Sequence, residues 1–197
     1  MATEITRLCV FCGTNTGTRP EYGSAARELG TLLATEGIEL VYGGASVGIM
    51  GELADAVQEA GGHVTGIIPQ QLIQKEAAHR GIQDLIVVAS MHQRKSQMAD
   101  LSDGFIALPG GIGTVEGFLE ILTWGQVGIH AKPCGILNIA GYFDALTTFL
   151  DHAVEEGFLT EAHRQTVMTE TDPQALLERL RAYEPPAGTP LMGRTHR

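Results

Sequence analysis

The stretch FIALPGGIGT, residues 105–114, decides the fold, because a short apolar run passes into glycines and then into a helical pattern. A strand is predicted at residues 104–108, a tight turn follows, and a helix is predicted from about Thr114 to Trp124. Glycines free the backbone amides of the turn to point at an anion, and Thr114 is predicted to cap a helix whose positive dipole end faces that anion. The pattern therefore predicts a phosphate-binding turn at residues 109–114.

The same alternation of short apolar runs and helical segments continues on both sides of this turn. Strands are predicted at residues 5–11, 38–42, 63–68, 85–89, 104–108, 134–139 and 166–169. Helices are predicted at residues 20–35, 48–60, 92–101, 114–124, 143–155, 161–165 and 172–183. Short strands separated by helices require a parallel sheet covered on both faces. We therefore predict a doubly wound α/β domain over residues 1–183, followed by a disordered tail at 184–197, where prolines and glycines end the pattern.

Length, charge and composition limit the classes of function. A chain of 197 residues suits one domain with its own core. Its formal net charge of −10 opposes the field of DNA or RNA, so polymeric nucleic acid is not an expected partner. The start MATEITR lacks the basic and apolar regions of a signal peptide, and no later apolar run approaches the length of a membrane span. We therefore expect a cytoplasmic protein with no membrane partner.

The cysteines and histidines indicate neither a disulfide framework nor a metal site. Cys9 and Cys12 lie on one predicted strand, where positions i and i+3 point to opposite faces, so this Cys-x-x-Cys is interpreted as core packing. The seven histidines form no i, i+4 pair and have no partner at ligand spacing. No metal is predicted.

Two further turns follow predicted strands, where doubly wound sheets bind their ligands. Residues 11–17 (FCGTNTG), which include Gly13, are small and rich in hydroxyl and amide groups; a polar loop that needs glycine is an equal alternative. Residues 43–51 (GGASVGIMG) include Gly43, Gly44 and Met50, and their glycines let another group approach the backbone. A tightly packed turn would have the same pattern.

Arg94 and Lys95 are predicted at the opening of a helix, where positive charge opposes the helix dipole. That position indicates an anion or a carboxylate from elsewhere in the chain as their partner. Solvated surface charge is the alternative interpretation.

The helix after the glycine turn carries two stripes. Its buried stripe is predicted to be Val115, Phe118, Leu119 and Leu122, and its polar stripe Glu116, Glu120 and Thr123. Glu116, one turn from a bound phosphate, can stabilise positive charge on a sugar ring or orient water toward the anomeric carbon. The alternative is a glutamate that stabilises only the helix dipole.

Four sequence motifs, taken in their order along the chain, resemble those of the LOG ("Lonely guy") family of cytokinin riboside 5′-monophosphate phosphoribohydrolases. This family is often given the older label of lysine decarboxylase. The motifs are GGASVGIMG (43–51), MHQRK (91–95), FIALPGGIGT (105–114) and TWGQVGIHAKP (123–133). The segment NIAGYF (138–143) adds to the resemblance, which spans residues 5–183. It implies a Rossmann-like homodimer that hydrolyses the N-glycosidic bond of adenine-type nucleotides such as AMP, without a redox or metal cofactor.

The resemblance also implies site residues. Arg94 matches a residue held to be catalytic, and Glu116 is the candidate carboxylate beside it. By resemblance, the candidate substrate-binding residues are Glu76, Arg94, Lys95, Gly111, Ile112, Gly113, Thr114 and Thr123. The three predicted turns and the family-like motif add Gly13, Gly43, Gly44, Met50, Gly110 and Gly117 as candidates.

One position departs from the family pattern Pro-Gly-Gly-x-Gly-Thr-x-x-Glu, whose catalytic glutamate falls on Gly117. Thr-x-x-Glu is also a capping box, so Gly117 is expected to remove a helix-start contact and to weaken the helix. Either Glu116 or Glu120 supplies the missing carboxylate, or the chain binds a nucleotide without hydrolysing it. A third hypothesis, pyridoxal-phosphate-dependent decarboxylation of lysine, requires a Schiff-base lysine, and Lys95 is the only one near the predicted site.

Overall fold

Seven strands build the sheet of the computed structural model, which describes residues 4–186. They are β1 (Arg7–Phe11), β2 (Glu39–Tyr42), β3 (Val64–Pro69), β4 (Asp84–Val88), β5 (Gly104–Ala107), β6 (Cys134–Leu137) and β7 (Val167–Glu170). All neighbours pair in parallel, in the order β4-β3-β2-β1-β5-β6-β7. The chain runs outward from β1 to β4 and then returns to the other side of β1. The strand order therefore reverses between β1 and β5, which opens a crevice at their carboxyl ends.

Between residues 4 and 186, seven helices accompany this sheet and cover both of its faces, which confirms the predicted doubly wound α/β class. They are α1 (Pro20–Thr35), α2 (Gly48–Glu59), α3 (Met91–Leu101), α4 (Ile112–Gln126), α5 (Asp144–Glu155), α6 (Glu161–Gln165) and α7 (Pro173–Arg181). Two 3₁₀ turns, Gln70–Leu72 and Ile139–Gly141, lie in the connections. Every predicted strand and helix is present, with its ends displaced by no more than two residues.

The core consists of two apolar clusters, one on each face of the sheet. Helices α1, α2 and α7 pack on one face, and α3 and α4 on the other. Cys9 belongs to the second cluster and Cys12 to the first, so the predicted core packing of these cysteines is confirmed. Both are free thiols, as is Cys134, and burial raises the pKa of the Cys134 thiol to about 12. A buried neutral thiol of this kind is unreactive.

The start of α4 differs from the prediction. The helix begins at Ile112 with Gly111 as its N-cap residue, so Thr114 stands in the third helical position and is not the cap. The expectation that Gly117 removes a capping-box contact to Thr114 is therefore wrong as well, because Thr114 is not in the cap position. The helix thus starts within the glycine turn, two residues before the predicted start. Along α4, Phe118, Ile121 and Leu122 are buried, whereas Val115 and Leu119 are half-buried.

The tail predicted at residues 184–197 lies outside the described residues from 187 onward, and residues 184–186 form neither helix nor strand. Between residues 4 and 186, no helix combines the length and the apolar character that crossing a bilayer requires.

Candidate functional site

A cavity of about 380 Å³ opens at the carboxyl ends of β1 and β5, where the strand order reverses. All three predicted turns contribute to its lining, together with the first turns of α3 and α4. The predicted site residues that the structure brings together there are Gly13, Gly43, Met50, Glu76, Arg94, Lys95, Gly110, Gly111, Gly113, Thr114, Glu116 and Gly117. Segments that are up to about a hundred residues apart in sequence thus meet in one pocket of suitable size for a nucleotide.

Three predicted site residues are not among the lining residues. Gly44 has a φ of +79° and packs against the side chains of Ile68 and Leu85. Ile112 is 89% exposed at the start of α4. Thr123 lies on the exposed side of α4, and its hydroxyl donates to the Leu119 carbonyl at 2.8 Å. Within a single chain these residues do not face the cavity.

Backbone hydrogen bonds hold the three turns against each other. The Gly13 amide donates to the Pro109 carbonyl at 3.1 Å, and the Met50 amide donates to the Gly13 carbonyl at 3.1 Å. A Cβ atom at Gly110 would overlap the Thr114 hydroxyl and lie 2.7 Å from the Gly13 nitrogen, so no side chain fits at that position. The turns therefore form one rigid floor beneath the cavity.

The first turn of α4 leaves donors available to a ligand. Within residues 4–186, the amides of Gly111, Ile112 and Gly113 donate to no other backbone group. Amides at a helix N-terminus, together with the helix dipole, are suited to bind an anion such as a phosphate group.

Arg94 is a buried cation whose partners come from three segments. Its Nε donates to the Ile67 carbonyl at 3.0 Å, and its Nη2 donates to the Gly43 carbonyl and to Glu76 Oε2, the latter at 3.0 Å. The side chain is 7% exposed, so the interpretation as solvated surface charge is wrong. The predicted carboxylate partner exists, and it is Glu76.

Glu76 is positioned by a strained connection after β3. Ser46 donates to the Ala77 carbonyl from its amide at 2.9 Å and from its hydroxyl at 2.7 Å. Ala77 adopts a φ of +44°, which is unfavourable for a residue with a Cβ atom. Such strain persists where the surroundings fix the conformation, and here it directs Glu76 toward Arg94.

Lys95 lies between two carboxylates of α4. Its Nζ is 2.6 Å from Glu116 Oε1 and 2.8 Å from Glu120 Oε2. Burial alone would lower the pKa of Lys95, but the hydrogen bonds that its ammonium donates to the carboxylates of Glu116 and Glu120 outweigh this effect, so the pKa is raised above 10.5. A lysine held protonated is a poor Schiff-base nucleophile, which counts against the decarboxylase hypothesis.

Gly117 is buried beneath the ring of Phe11. A Cβ atom at this position would lie 3.0 Å from two atoms of that ring, which itself lines the cavity. The carboxylates among the lining residues are Glu76 and Glu116. Glu76 is bound by Arg94 and is 22% exposed, whereas Glu116, although bound by Lys95, is 53% exposed. Glu116 is therefore the carboxylate of α4 that a ligand in the cavity meets.

Sequence reasoning missed most of the apolar and aromatic wall. Six lining residues with large side chains are not among the predicted site residues, namely Phe11, Tyr22, Ile49, Met91, Met98 and Tyr142. Phe11, Ile49 and Met91 lie within segments that the sequence singles out, whereas Tyr22 and Met98 do not. Tyr142 belongs to the family-like segment at 138–143, and its hydroxyl donates to the Gly110 carbonyl. The other five lie on β1, α1, α2 and α3, and only the folded chain shows which side chains of separate elements reach one site.

No metal centre accompanies this cavity. In the part of the chain from residue 4 to residue 186, no group of three His, Cys, Asp or Glu side chains is arranged to hold a metal ion.

Comparison with protein families gives a match to the model described as "Possible lysine decarboxylase", over residues 50–180. A cytokinin riboside 5′-monophosphate phosphoribohydrolase of Arabidopsis thaliana is 48% identical over 179 residues, which cover 91% of this chain and 82% of the relative. A second such protein from the same plant is 49% identical over 179 residues, which cover 91% of this chain and 78% of the relative.

Solved structures share the fold at lower identity. The molybdenum cofactor binding protein of Rippkaea orientalis superimposes with a TM-score of 0.68 at 22% identity, over 91% of this chain and 97% of that one. The molybdenum cofactor (Moco) carrier protein of Chlamydomonas reinhardtii superimposes with a TM-score of 0.68 at 24% identity, over 91% of this chain and 99% of that one. At this identity the likeness extends to the fold alone.

Proposed function

Because the chain belongs to the LOG family of cytokinin riboside 5′-monophosphate phosphoribohydrolases, we propose that it hydrolyses the N-glycosidic bond of an adenine-type nucleoside 5′-monophosphate. The products are the free base and ribose 5-phosphate. The observation that carries this proposal is the pairing, in one cavity, of free helix-start amides with Arg94 and the exposed carboxylate of Glu116.

The amides of α4 suit the 5′-phosphate, which would anchor the substrate at one end of the cavity. Glu116 follows one turn later on the same helix and would therefore stand beside the ribose. Arg94 would act from α3, where its guanidinium is already held by Gly43 and Glu76. This arrangement places a cation, a carboxylate and an anion site around one sugar.

In the proposed reaction the bond between C1′ and the base nitrogen breaks, and its electron pair leaves with the base. Positive charge develops on the ribose ring, and the negative charge of Glu116 stabilises it. Glu116 also orients a water whose oxygen bonds to C1′, and the proton released by that water ends on the departing base. Lys95 remains bound to Glu120 while Glu116 turns to the ribose.

A second candidate function is nucleotide binding without hydrolysis. Gly117 favours it, because the position that carries the catalytic glutamate of the family pattern has no side chain here. The anion site and Arg94 do not depend on that glutamate, so binding would persist.

A chromatographic assay separates the two candidates. The chain is incubated with AMP or with N6-isopentenyladenosine monophosphate, beside the variants Arg94→Ala, Glu116→Gln and Gly117→Glu. Release of base that is lost in Arg94→Ala and Glu116→Gln supports hydrolysis through Glu116. Release only from Gly117→Glu supports the binding function, and no release or binding by any of these proteins contradicts both.

A homodimer belongs to the same proposal. Val127 and Ile129, just after α4, are 47% and 36% exposed, and Thr123 lies on the exposed side of the same helix. An apolar surface of this kind is suited to a second copy, and Thr123 can contribute to a nucleotide only in such an assembly. Light scattering should give twice the 21.0 kDa mass of one chain, and a monomer would contradict this part.

A cytoplasmic location completes the proposal. Its support is the set of three free, buried thiols, Cys9, Cys12 and Cys134, which suits a reducing compartment. Fractionation of cells that produce the protein tests it.

A further inference from the structure

Tyr142 lies beside the glycine turn on a loop that the proposed reaction does not use. Its hydroxyl donates to the Gly110 carbonyl, and its ring forms part of the cavity lining. Gly110 also contacts Gly13 and Thr114 so closely that it cannot bear a side chain. The hydroxyl thus reaches the most crowded peptide of the turn.

That peptide links Gly110 to Gly111, the N-cap residue of α4. In a planar trans peptide the carbonyl and the following amide point in opposite directions. A hydrogen bond that fixes the Gly110 carbonyl therefore also fixes the direction of the Gly111 amide. This amide donates to no other backbone group within the described residues, so its orientation matters only for a ligand.

The loop holds Tyr142 in one place. Ala140 and Gly141 have φ values of 52° and 72°, and for alanine this conformation is strained. Asn138 fixes the loop, because its Nδ2 donates to Asp144 Oδ1 at 2.7 Å and its Oδ1 accepts the Phe143 amide at 2.7 Å.

Aromatic neighbours restrict the ring itself. Tyr22 meets it edge-on with ring centroids 5.5 Å apart, and Phe143 does so at 5.0 Å. The Tyr142 hydroxyl is therefore held at the Gly110 carbonyl by the strained backbone of its loop, by the hydrogen bonds of Asn138 and by two edge-on rings.

From these contacts we infer that Tyr142 is a positioning residue for the anion-binding turn, acting through Gly110 on the amide that meets the phosphate group of the ligand. The identity of that ligand rests on the proposed function. The role is specific to the phosphate end, because the base and ribose do not need the Gly111 amide.

The test compares binding of AMP and adenosine by isothermal titration calorimetry. Tyr142→Phe should weaken AMP binding by about tenfold, the effect of one misaligned hydrogen bond to a charged group, and leave adenosine binding within about twofold. Tyr183→Phe, which removes a tyrosine hydroxyl outside the site, should match the unmodified protein. Equal weakening of AMP and adenosine would show a general wall effect and overturn the inference, as would unchanged AMP binding.

A ligand-free measurement separates this inference from the proposed function. The amide resonance of Gly111 in ¹H–¹⁵N spectra should move in Tyr142→Phe and stay in place in Tyr183→Phe. If the unmodified protein binds neither AMP nor adenosine, the proposed function fails, and an unmoved Gly111 resonance would then overturn the positioning role independently.

Discussion

At the scale of single residues, Lys95 shows how the site keeps a buried cation charged. Its pKa is raised in the folded chain above the ordinary 10.5, because Glu116 and Glu120 outweigh the effect of burial. The fold therefore favours the protonated form. The stability that follows is fully present below about pH 10.5 and is lost as the pH rises through the folded pKa.

Lys95→Gln should accordingly reduce the alkaline loss of stability. Urea unfolding at several pH values between neutral and strongly alkaline gives the free energy of unfolding of both proteins. The difference between the two free energies of unfolding should be constant at neutral pH and should shrink above the ordinary lysine pKa. Lys75→Gln, which removes an exposed lysine, controls for a change of one charge. A difference that does not vary with pH would show that Lys95 acts only by packing.

Glu116 and Glu120 both bind Lys95 but should differ in function. Only Glu116 lines the cavity, so Glu116→Gln should lower kcat by about 100-fold or more, the range of a lost general acid or base. Glu120→Gln should lower kcat by less than about tenfold, because it weakens one contact of a lysine that keeps another. Steady-state kinetics of the two variants shows which one loses more kcat. Glu178→Gln, which changes an exposed glutamate of α7, serves as the control. A larger loss in Glu120→Gln would reverse the assignment.

The sequence predicted some of these residues for physical reasons and missed others. Cations at a helix start oppose the dipole, so the prediction that Arg94 and Lys95 need partners followed from local physics alone. The identity of one partner, Glu76, depends on a strained Ala77 and on a bridge to Ser46, and neither leaves a local signal. The prediction that Thr114 caps α4 is wrong, because the helix begins two residues earlier, among glycines that carry no side chain to signal a cap.

At the scale of elements, α1 and α2 approach each other closely at Gly30. A Cβ atom there would lie 2.7 Å from the Leu53 carbonyl oxygen and 2.9 Å from the Ala56 Cβ. Gly30→Ala should therefore lower the free energy of unfolding by about 1–3 kcal/mol through overpacking. Gly23→Ala is the matched control on the same helix, since its nearest neighbour would be 4.0 Å away.

The control should change stability in the opposite direction. Alanine has the higher helix propensity, so Gly23→Ala should raise the free energy of unfolding by up to about 1 kcal/mol. Chemical denaturation of both variants and the unmodified chain measures the two effects. Stabilisation by both substitutions would show that α1 and α2 can separate at little cost.

Element boundaries were predictable because hydrophobic period and Gly or Pro punctuation agree along most of the chain. Pro20 begins α1, and the Gly61-Gly62 pair follows α2, as the sequence indicates. The connection at residues 70–83 was different. It contains only a short 3₁₀ turn, and its conformation is set by contacts with the turn after β2. Long-range pairing of this kind lies beyond any local pattern.

At the scale of the whole molecule, the site exists only when distant segments have come together. Its lining comes from the turns after β1, β2 and β5, from α3 and α4, and from the loop after β6. An unfolded chain cannot reproduce this arrangement, so a ligand that binds only there stabilises the fold by an amount that grows with the ratio of its concentration to its dissociation constant.

AMP should therefore raise the melting temperature whether or not the chain hydrolyses it. At 100 times its dissociation constant it should add about 2.7 kcal/mol, which corresponds to about 5–10 °C for a protein of this size. Differential scanning fluorimetry at rising AMP concentration, followed by chromatography to measure any hydrolysis, tests this.

Arg94→Ala should melt at a lower temperature, because it leaves Glu76 without its cation, and its response to AMP should be much smaller. Adenosine should raise the melting temperature less than AMP at equal concentration, because it cannot use the amides of α4. An equal response to both ligands would contradict phosphate binding by these amides, since only a phosphate group distinguishes the two ligands.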